Sequence, residues 1–111
     1  METVTITSTR AISLDDMKPL IDRHWPTKAR HERLAVEGPT SRVYIYHPRL
    51  QGQVDARRIY LDYHSVDLVK KIIELVGDDP DLLIENDFGT ILPGDRFVAK
   101  LRSDPEWQWR V

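Results

Sequence analysis

Cysteine is missing from this sequence altogether. Disulfides, thiolate metal sites, a cysteine nucleophile and thiol redox chemistry are thereby excluded. Glycine is scarce, at 5 residues, and no glycine-rich run, linker, low-complexity tract or internal repeat divides the chain. Long apolar runs are absent too, since none approaches the roughly 18 residues that a membrane span needs. Residues 1–12 (METVTITSTRAI) alternate apolar residues with Thr or Ser and hold no apolar core of signal-peptide length. The expected location is therefore the cytoplasm. Nor is there an excess of positive charge. The net charge is −2, which disfavours nucleic acid as a partner.

What is present suits one globular domain over residues 1–111. The chain is 41% hydrophobic and 31% charged, a balance that argues against both disorder and a membrane protein. Val4 and Ile6 alternate with Thr3, Thr5 and Thr7, the period of a half-buried strand. Ser13 precedes Asp15 and Asp16 and is placed to cap a helix, which Pro19 should kink or start late and Pro26 should end. Residues 27–37 (TKARHERLAVE) are helix formers between Pro26 and Gly38, and read as a short helix or an ordered loop.

The middle of the chain is patterned more strongly. Residues 42–47 (RVYIYH) and 58–64 (RIYLDYH) alternate as two strands of a hairpin joined by a long, exposed loop. Val43, Ile45, Ile59, Leu61 and Tyr63 fall on one face, and Tyr44, Tyr46, Tyr60, Asp62 and His64 on the other. Residues 65–77 (SVDLVKKIIELVG) carry a helical stripe of Val66, Val69, Ile72, Ile73 and Val76, with Ser65 as cap and Gly77 as left-handed stop. Beyond an acidic break at 78–81, residues 82–85, 88–92, 96–102 and 106–111 read as four strands, with Pro93-Gly94 at the centre of a type II turn. Trp107 and Trp109 share a face of the last strand and should seal the core, so truncation at residue 105 should be badly destabilising. The predicted order is β-α-(α)-β-β-α-β-β-β-β, an α+β domain with a mostly antiparallel sheet and the main helix packed across one face.

No catalytic, metal or cofactor motif meets its own requirements. His31-Glu32 begins like the metalloprotease helix, but Ala35 stands where the second histidine ligand must be. The acidic run Asp78, Asp79, Asp81 resembles the start of a calcium loop, yet Leu82 and Leu83 occupy ligand positions. Pro80-Asp81 lacks the carboxylate two residues before Lys100 that a restriction-type nuclease site requires, because Val98 stands there. Asp87-Phe88-Gly89 matches a kinase tripeptide without the phosphate loop or catalytic loop, and Asn86 to Gly89 reads as turn chemistry. No phosphate-binding loop, dinucleotide fingerprint or nucleophile elbow is present, so no cofactor is expected.

Two distributed features remain. Residues 1–60 hold 10 basic and 7 acidic side chains, net +3, whereas residues 61–111 hold 6 and 11, net −5. Arg30, Arg33, Arg57 and Arg58 belong to the basic part and suit bidentate contact with an anionic partner. The second feature is the row of Tyr44, Tyr46, Tyr60, Asp62 and His64, a recognition face of large area and low entropic cost. The alternative for that row is packing beneath the first helix. Together these features suggest a small, non-enzymatic cytoplasmic module that recognises a protein partner. An inhibitor or immunity-type version would meet a basic toxin through Asp78, Asp79, Asp81, Glu85 and Asp87. The alternative is a small enzyme or small-molecule site built from His47, His64, Asp62 and the tyrosines, which requires the two histidines to converge.

Overall fold

The structure, a computed structural model, describes residues 1–107 and 109. Its first strand, β1 (Glu2–Ser8), buries Val4 and Ile6 and turns its threonines away from them. Helix α1 (Leu14–Asp22) follows, with the Asp16 N–H donating to the Ser13 hydroxyl at 3.2 Å. The helix begins five residues ahead of Pro19 and runs through it, and it ends at Asp22 rather than at Pro26. Pro19 lies on the exposed side, while Met17 and Ile21 face the core.

Residues 27–37 form neither a helix nor a loop. They make a hairpin of β2 (Thr27–Arg30) and β3 (Arg33–Glu37), closed by His31 and Glu32 at φ 51° and 63°. Two successive left-handed residues are the geometry of a type I′ turn, whose twist matches that of the flanking strands. Tertiary pairing overrides helix propensity here. Leu34 and Val36 fall on one face, opposite Ile45 and Val43 of β4 (Arg42–Tyr46), and all four are buried.

The long connection after β4 carries a small hairpin of its own, β5 (Arg49–Leu50) and β6 (Gln53–Val54). Then β7 (Arg58–Tyr63) returns antiparallel to β4 and to β1, with Ile59, Leu61 and Tyr63 buried as their alternation predicts. Helix α2 (Val66–Val76) buries Leu68, Val69, Ile72 and Ile73. Ser65 holds the cap position without a side-chain bond, and Gly77 is right-handed (φ −100°), not left-handed. Glycine is needed at 77 for space, since a Cβ there would lie 2.8 Å from the Ile73 carbonyl oxygen and 2.9 Å from Ile84 Cδ1.

Strands β8 (Leu82–Glu85) and β9 (Ile91–Pro93) are joined by a turn in which Asn86 Oδ1 accepts the N–H groups of Phe88 and Thr90, both at 3.0 Å. The expected turn at Pro93-Gly94 and strand over 96–102 are replaced by helix α3 (Gly94–Ser103). Pro93 is its N-cap, Asp95 lies in the first turn, and Lys100 and Arg102 lie in the last, each charge opposing the adjacent pole of the helix dipole. Phe97, Val98 and Leu101 are buried at helical spacing. Beyond α3, Trp107 and Trp109 are buried as predicted, but neither they nor Glu106 lie in a strand. Positions 108, 110 and 111 of the predicted last strand lie outside the described residues.

Seven strands form one antiparallel sheet in the order β2-β3-β4-β7-β1-β8-β9, and β5 and β6 pair apart from it. All three helices pack on one side, α1 against β2 and β3, α2 against β4 and β7, α3 against β8 and β9. Their apolar faces join the inward strand residues in a single core. The protein is therefore an α+β domain with a mostly antiparallel sheet, and the opposite face of that sheet is left open among the described residues.

Candidate functional site

The open face is set by register. Antiparallel pairing places Lys28, Ala35, Tyr44, Asp62 and Thr3 in one row across β2, β3, β4, β7 and β1. The next row is Arg30, Arg33, Tyr46, Tyr60, Thr5, Glu85 and Ile91. Side chains in such rows are cross-strand neighbours and interact directly. The tyrosines thus face away from α1 and do not pack beneath it.

Asp62 ties the centre together. One carboxylate oxygen accepts from Thr3 Oγ1 at 2.7 Å and the other from the Tyr46 hydroxyl at 2.9 Å. Tyr46 meets Tyr60 edge to face, with ring centroids 5.7 Å apart, a favoured aromatic geometry. Partial burial, and then the bond to Asp62, push the Tyr46 phenol up to about 12. Tyr46 is accordingly a neutral hydrogen-bond donor across the physiological range. At the basic end, the Arg33 guanidinium stands 4.5 Å above the Tyr44 ring, a cation–π contact that holds its planar donors in place. Arg42 pairs with Glu37 at 2.8 Å. Hydrogen bonds to Tyr44 and Glu37 raise its pKa further. Among the described residues, Lys28, Arg30 and Arg33 have no carboxylate within ion-pair distance.

Of the residues singled out from sequence, Tyr44, Tyr46, Tyr60, Asp62, Arg30 and Arg33 come together on this face. His64 lies beyond the end of β7, exposed and outside the cluster. Arg58 shares the open face but stands at its far end, opposite Thr7. Its Nε is 3.9 Å from Asp55 and makes no hydrogen bond. Arg57 is exposed in the preceding loop, where its carbonyl accepts from the Ser8 N–H. Thr3, Lys28 and Glu85 join the face as well. Only the insertion of β1 between β7 and β8, and the folding of 27–37 as strands, put them there.

His47 and His64 do not converge. His47 follows Tyr46 at one end of the β4–β7 ladder, where its Nδ1 bonds the Arg58 carbonyl at 2.9 Å. His64 follows Tyr63 at the other end, five residues along the ladder, or about 17 Å away. The acidic residues are dispersed as well. Asp78 pairs with Arg102 (3.4 Å), Asp81 with Arg10 (3.9 Å), Asp79 accepts the Asp81 N–H (2.8 Å), and Asp87 accepts the Thr3 N–H (2.6 Å). Of these five, Glu85 is the one whose register places it in an open-face row. Among the described residues, no group of three or more histidines and carboxylates is arranged to hold a metal ion, and no helix is long and apolar enough to cross a membrane.

Two clefts flank the β2–β3 hairpin. One, of about 320 Å³, lies on the open face between Lys28, Arg33, Arg42 and Tyr44. The other, of about 510 Å³, lies on the opposite side, between the start of α1, the hairpin and Val54. Comparison with protein-family models, curated proteins and solved structures finds no match to this chain.

Proposed function

We propose that the protein is a cytoplasmic binding module that receives a protein partner on the open face of its sheet. The observation that carries this reading is the one-sided placement of the helices. Among the described residues it leaves uncovered a face in which Tyr46, Asp62 and Thr3 are fixed by mutual bonds and Tyr60 by its ring contact with Tyr46, bordered by three cations with no described carboxylate partner. A preordered aromatic surface loses little entropy on docking. Unneutralised cations at its edge steer a complementary partner and reject like-charged ones. The inhibitor-type version using Asp78, Asp79, Asp81, Glu85 and Asp87 is less well served, because the first three and Asp87 are engaged within the fold. Nucleic acid is disfavoured by Asp62 and Glu85 on the same face, which a phosphate backbone crossing the sheet would meet.

The test is affinity capture from the source organism at low and high salt, with wild-type protein and with the double variant Arg33→Glu, Tyr60→Ala. Both substitutions fall on side chains that are not part of the core, and circular dichroism verifies the fold. The proposal expects one stoichiometric protein held by the wild type, weakened by salt and lost with the variant. Equal capture by both proteins, or none by either, would refute it.

A further inference from the structure

The β2 strand is one edge of the sheet, and its two sides differ in a way that defines an occupant. The Glu37 N–H donates to the Pro26 carbonyl at 2.8 Å. Bonded pairs alternate along an antiparallel ladder, so Lys28 with Ala35 and Arg30 with Arg33 are the bonded pairs above it. Thr27 and Ala29 then turn their backbone groups outward. Asp22 Oδ1 takes the Thr27 N–H at 2.9 Å. The Thr27 carbonyl and both backbone groups of Ala29 are left facing an edge that no described strand covers.

On the open face of this edge, Lys28 and Arg30 project without carboxylate partners, with Arg33 beside Arg30. On the other face, Ala29 is exposed above the larger cleft, whose apolar lining includes Leu14, Leu34 and Val54. The start of α1, at Ser13, Leu14 and Asp15, forms the far wall of this cleft. An edge strand therefore offers cations to one side and, to the other, a hollow in which Leu14, Ala29, Leu34 and Val54 stand among polar residues such as Asp15, Glu32 and His47, in the alternation of a strand.

We infer that β2 accepts an added antiparallel strand from a protein partner, of alternating acidic–apolar–acidic sequence. It rests on the reading of this chain as a protein-binding module and supplies the chemistry of the partner. Residues opposite Lys28 and Arg30 lie on the open face within reach of an ion pair. The residue between them, opposite Ala29, points into the cleft. Backbone bonds to Ala29 and the Thr27 carbonyl supply affinity, and the alternate side chains supply specificity. A second copy of this chain does not fit. Antiparallel self-pairing about Ala29 sets Lys28 against Arg30 in both directions, and like charges placed directly opposite repel. A polyanionic nucleic acid would satisfy the cations but would leave the outward backbone groups and the cleft unfilled.

The experiment uses the full chain, ¹⁵N-labelled, titrated with a synthetic ten-residue peptide alternating glutamate with valine. A peptide alternating lysine with valine and a single-stranded oligonucleotide serve as comparisons. Amide exchange is read at Ala29. The inference expects salt-sensitive binding of the acidic peptide alone, with exchange at Ala29 slowed at least roughly tenfold as that N–H enters a ladder. Ala29→Pro removes only an outward N–H, which an edge strand tolerates, and should abolish binding while leaving the spectrum folded. Charge reversal with Lys28→Glu and Arg30→Glu should transfer binding to the lysine peptide. Shifts confined to Tyr44, Tyr46 and Tyr60, with Ala29 unprotected, would overturn strand addition while leaving the open face as the partner's site. Equal binding of both peptides, binding of the oligonucleotide alone, or no binding would overturn the inference. The capture experiment above then decides separately whether the module reading stands.

Discussion

Removing residues 106–111 should abolish cooperative folding, and the size of the loss follows from two tryptophans. Trp109 is fully buried and Trp107 almost so. Both pack on Phe97 at ring separations of 5.4 and 5.5 Å, and Trp109 also packs on Tyr63 at 6.0 Å. A buried tryptophan removes about 150–250 Å² from water, which at about 25 cal/mol per Å² contributes roughly 4–6 kcal/mol. The pair together approach about 10 kcal/mol as an upper estimate, against a total stability of about 5–15 kcal/mol for a typical domain. Polar anchors go with them. The Trp109 indole N–H donates to the Tyr63 hydroxyl at 2.6 Å, Asn86 Nδ2 to the Trp109 carbonyl at 3.0 Å, and Lys70 Nζ to the Trp107 carbonyl at 2.5 Å. Truncation strands the buried Asn86 amide and Tyr63 hydroxyl, each at a cost of about 1–3 kcal/mol.

Graded variants separate these contributions. Trp109→Ala should cost about 3–5 kcal/mol, or roughly 12–20 °C in Tm for a domain of this size. Tyr63→Phe keeps the ring packing and removes one hydroxyl, so it should cost about 1–3 kcal/mol. Thermal and urea unfolding followed by circular dichroism measure all three. A chain truncated at 105 that melts cooperatively within about 5 °C of the full chain would refute the reasoning.

Three further predictions test the fold and the face. A Cβ at Gly94 would stand 2.1 and 2.6 Å from the carbonyl oxygens of Gly77 and Asp79, whereas one at Gly89 meets nothing but a left-handed backbone. Gly94→Ala should therefore lose about 2–3 kcal/mol and Gly89→Ala about 1 kcal/mol in denaturant titrations, and equal losses would contradict the packing. Replacing the turn with His31→Asn and Glu32→Gly should raise stability by about 1 kcal/mol, since the Glu32–Arg49 pair it removes is exposed and worth at most about 1 kcal/mol. A helix over 27–37 would instead lose stability on gaining that glycine, which the same titration detects. The folded Tyr46 phenol titrates at about 12, above its ordinary 10.0. Its contribution is thus complete below pH 10 and lost as the pH rises toward 12. Tyr46→Phe should reduce the slope of the stability–pH curve there, the remainder belonging to Tyr63, whose burial also raises its phenol, and an unchanged slope would remove Tyr46 from the account.

The chain's own pattern determined those elements whose burial is periodic and local. Alternation in 42–46 and 58–63 defined both strands and both of their faces, and the stripe of 66–76 defined its helix. The same alternation puts Tyr44, Tyr46, Tyr60 and Asp62 of the candidate face on one side of their strands. Elsewhere the local signals conflicted with the outcome. The TKARHERL run is made of helix formers, yet it becomes a hairpin because β4 offers Leu34 and Val36 partners across the sheet. Residues 94–103 carry helix signals in Asp95, Lys100 and Arg102, and Phe97, Val98 and Leu101 are buried at helical spacing, so this segment folds as α3 and not as a further strand. Tertiary structure alone decided that β1 sits between β7 and β8, bringing Thr3 to Asp62 and Glu85 onto the open face. It also decided that His47 and His64 stand apart, and that β2 is an edge strand of the sheet. Periodicity reports which side of an element is buried. Which elements become neighbours depends on contacts between residues far apart in sequence, such as Thr3 with Asp62 and Tyr63 with Trp109, that form only as the whole core closes.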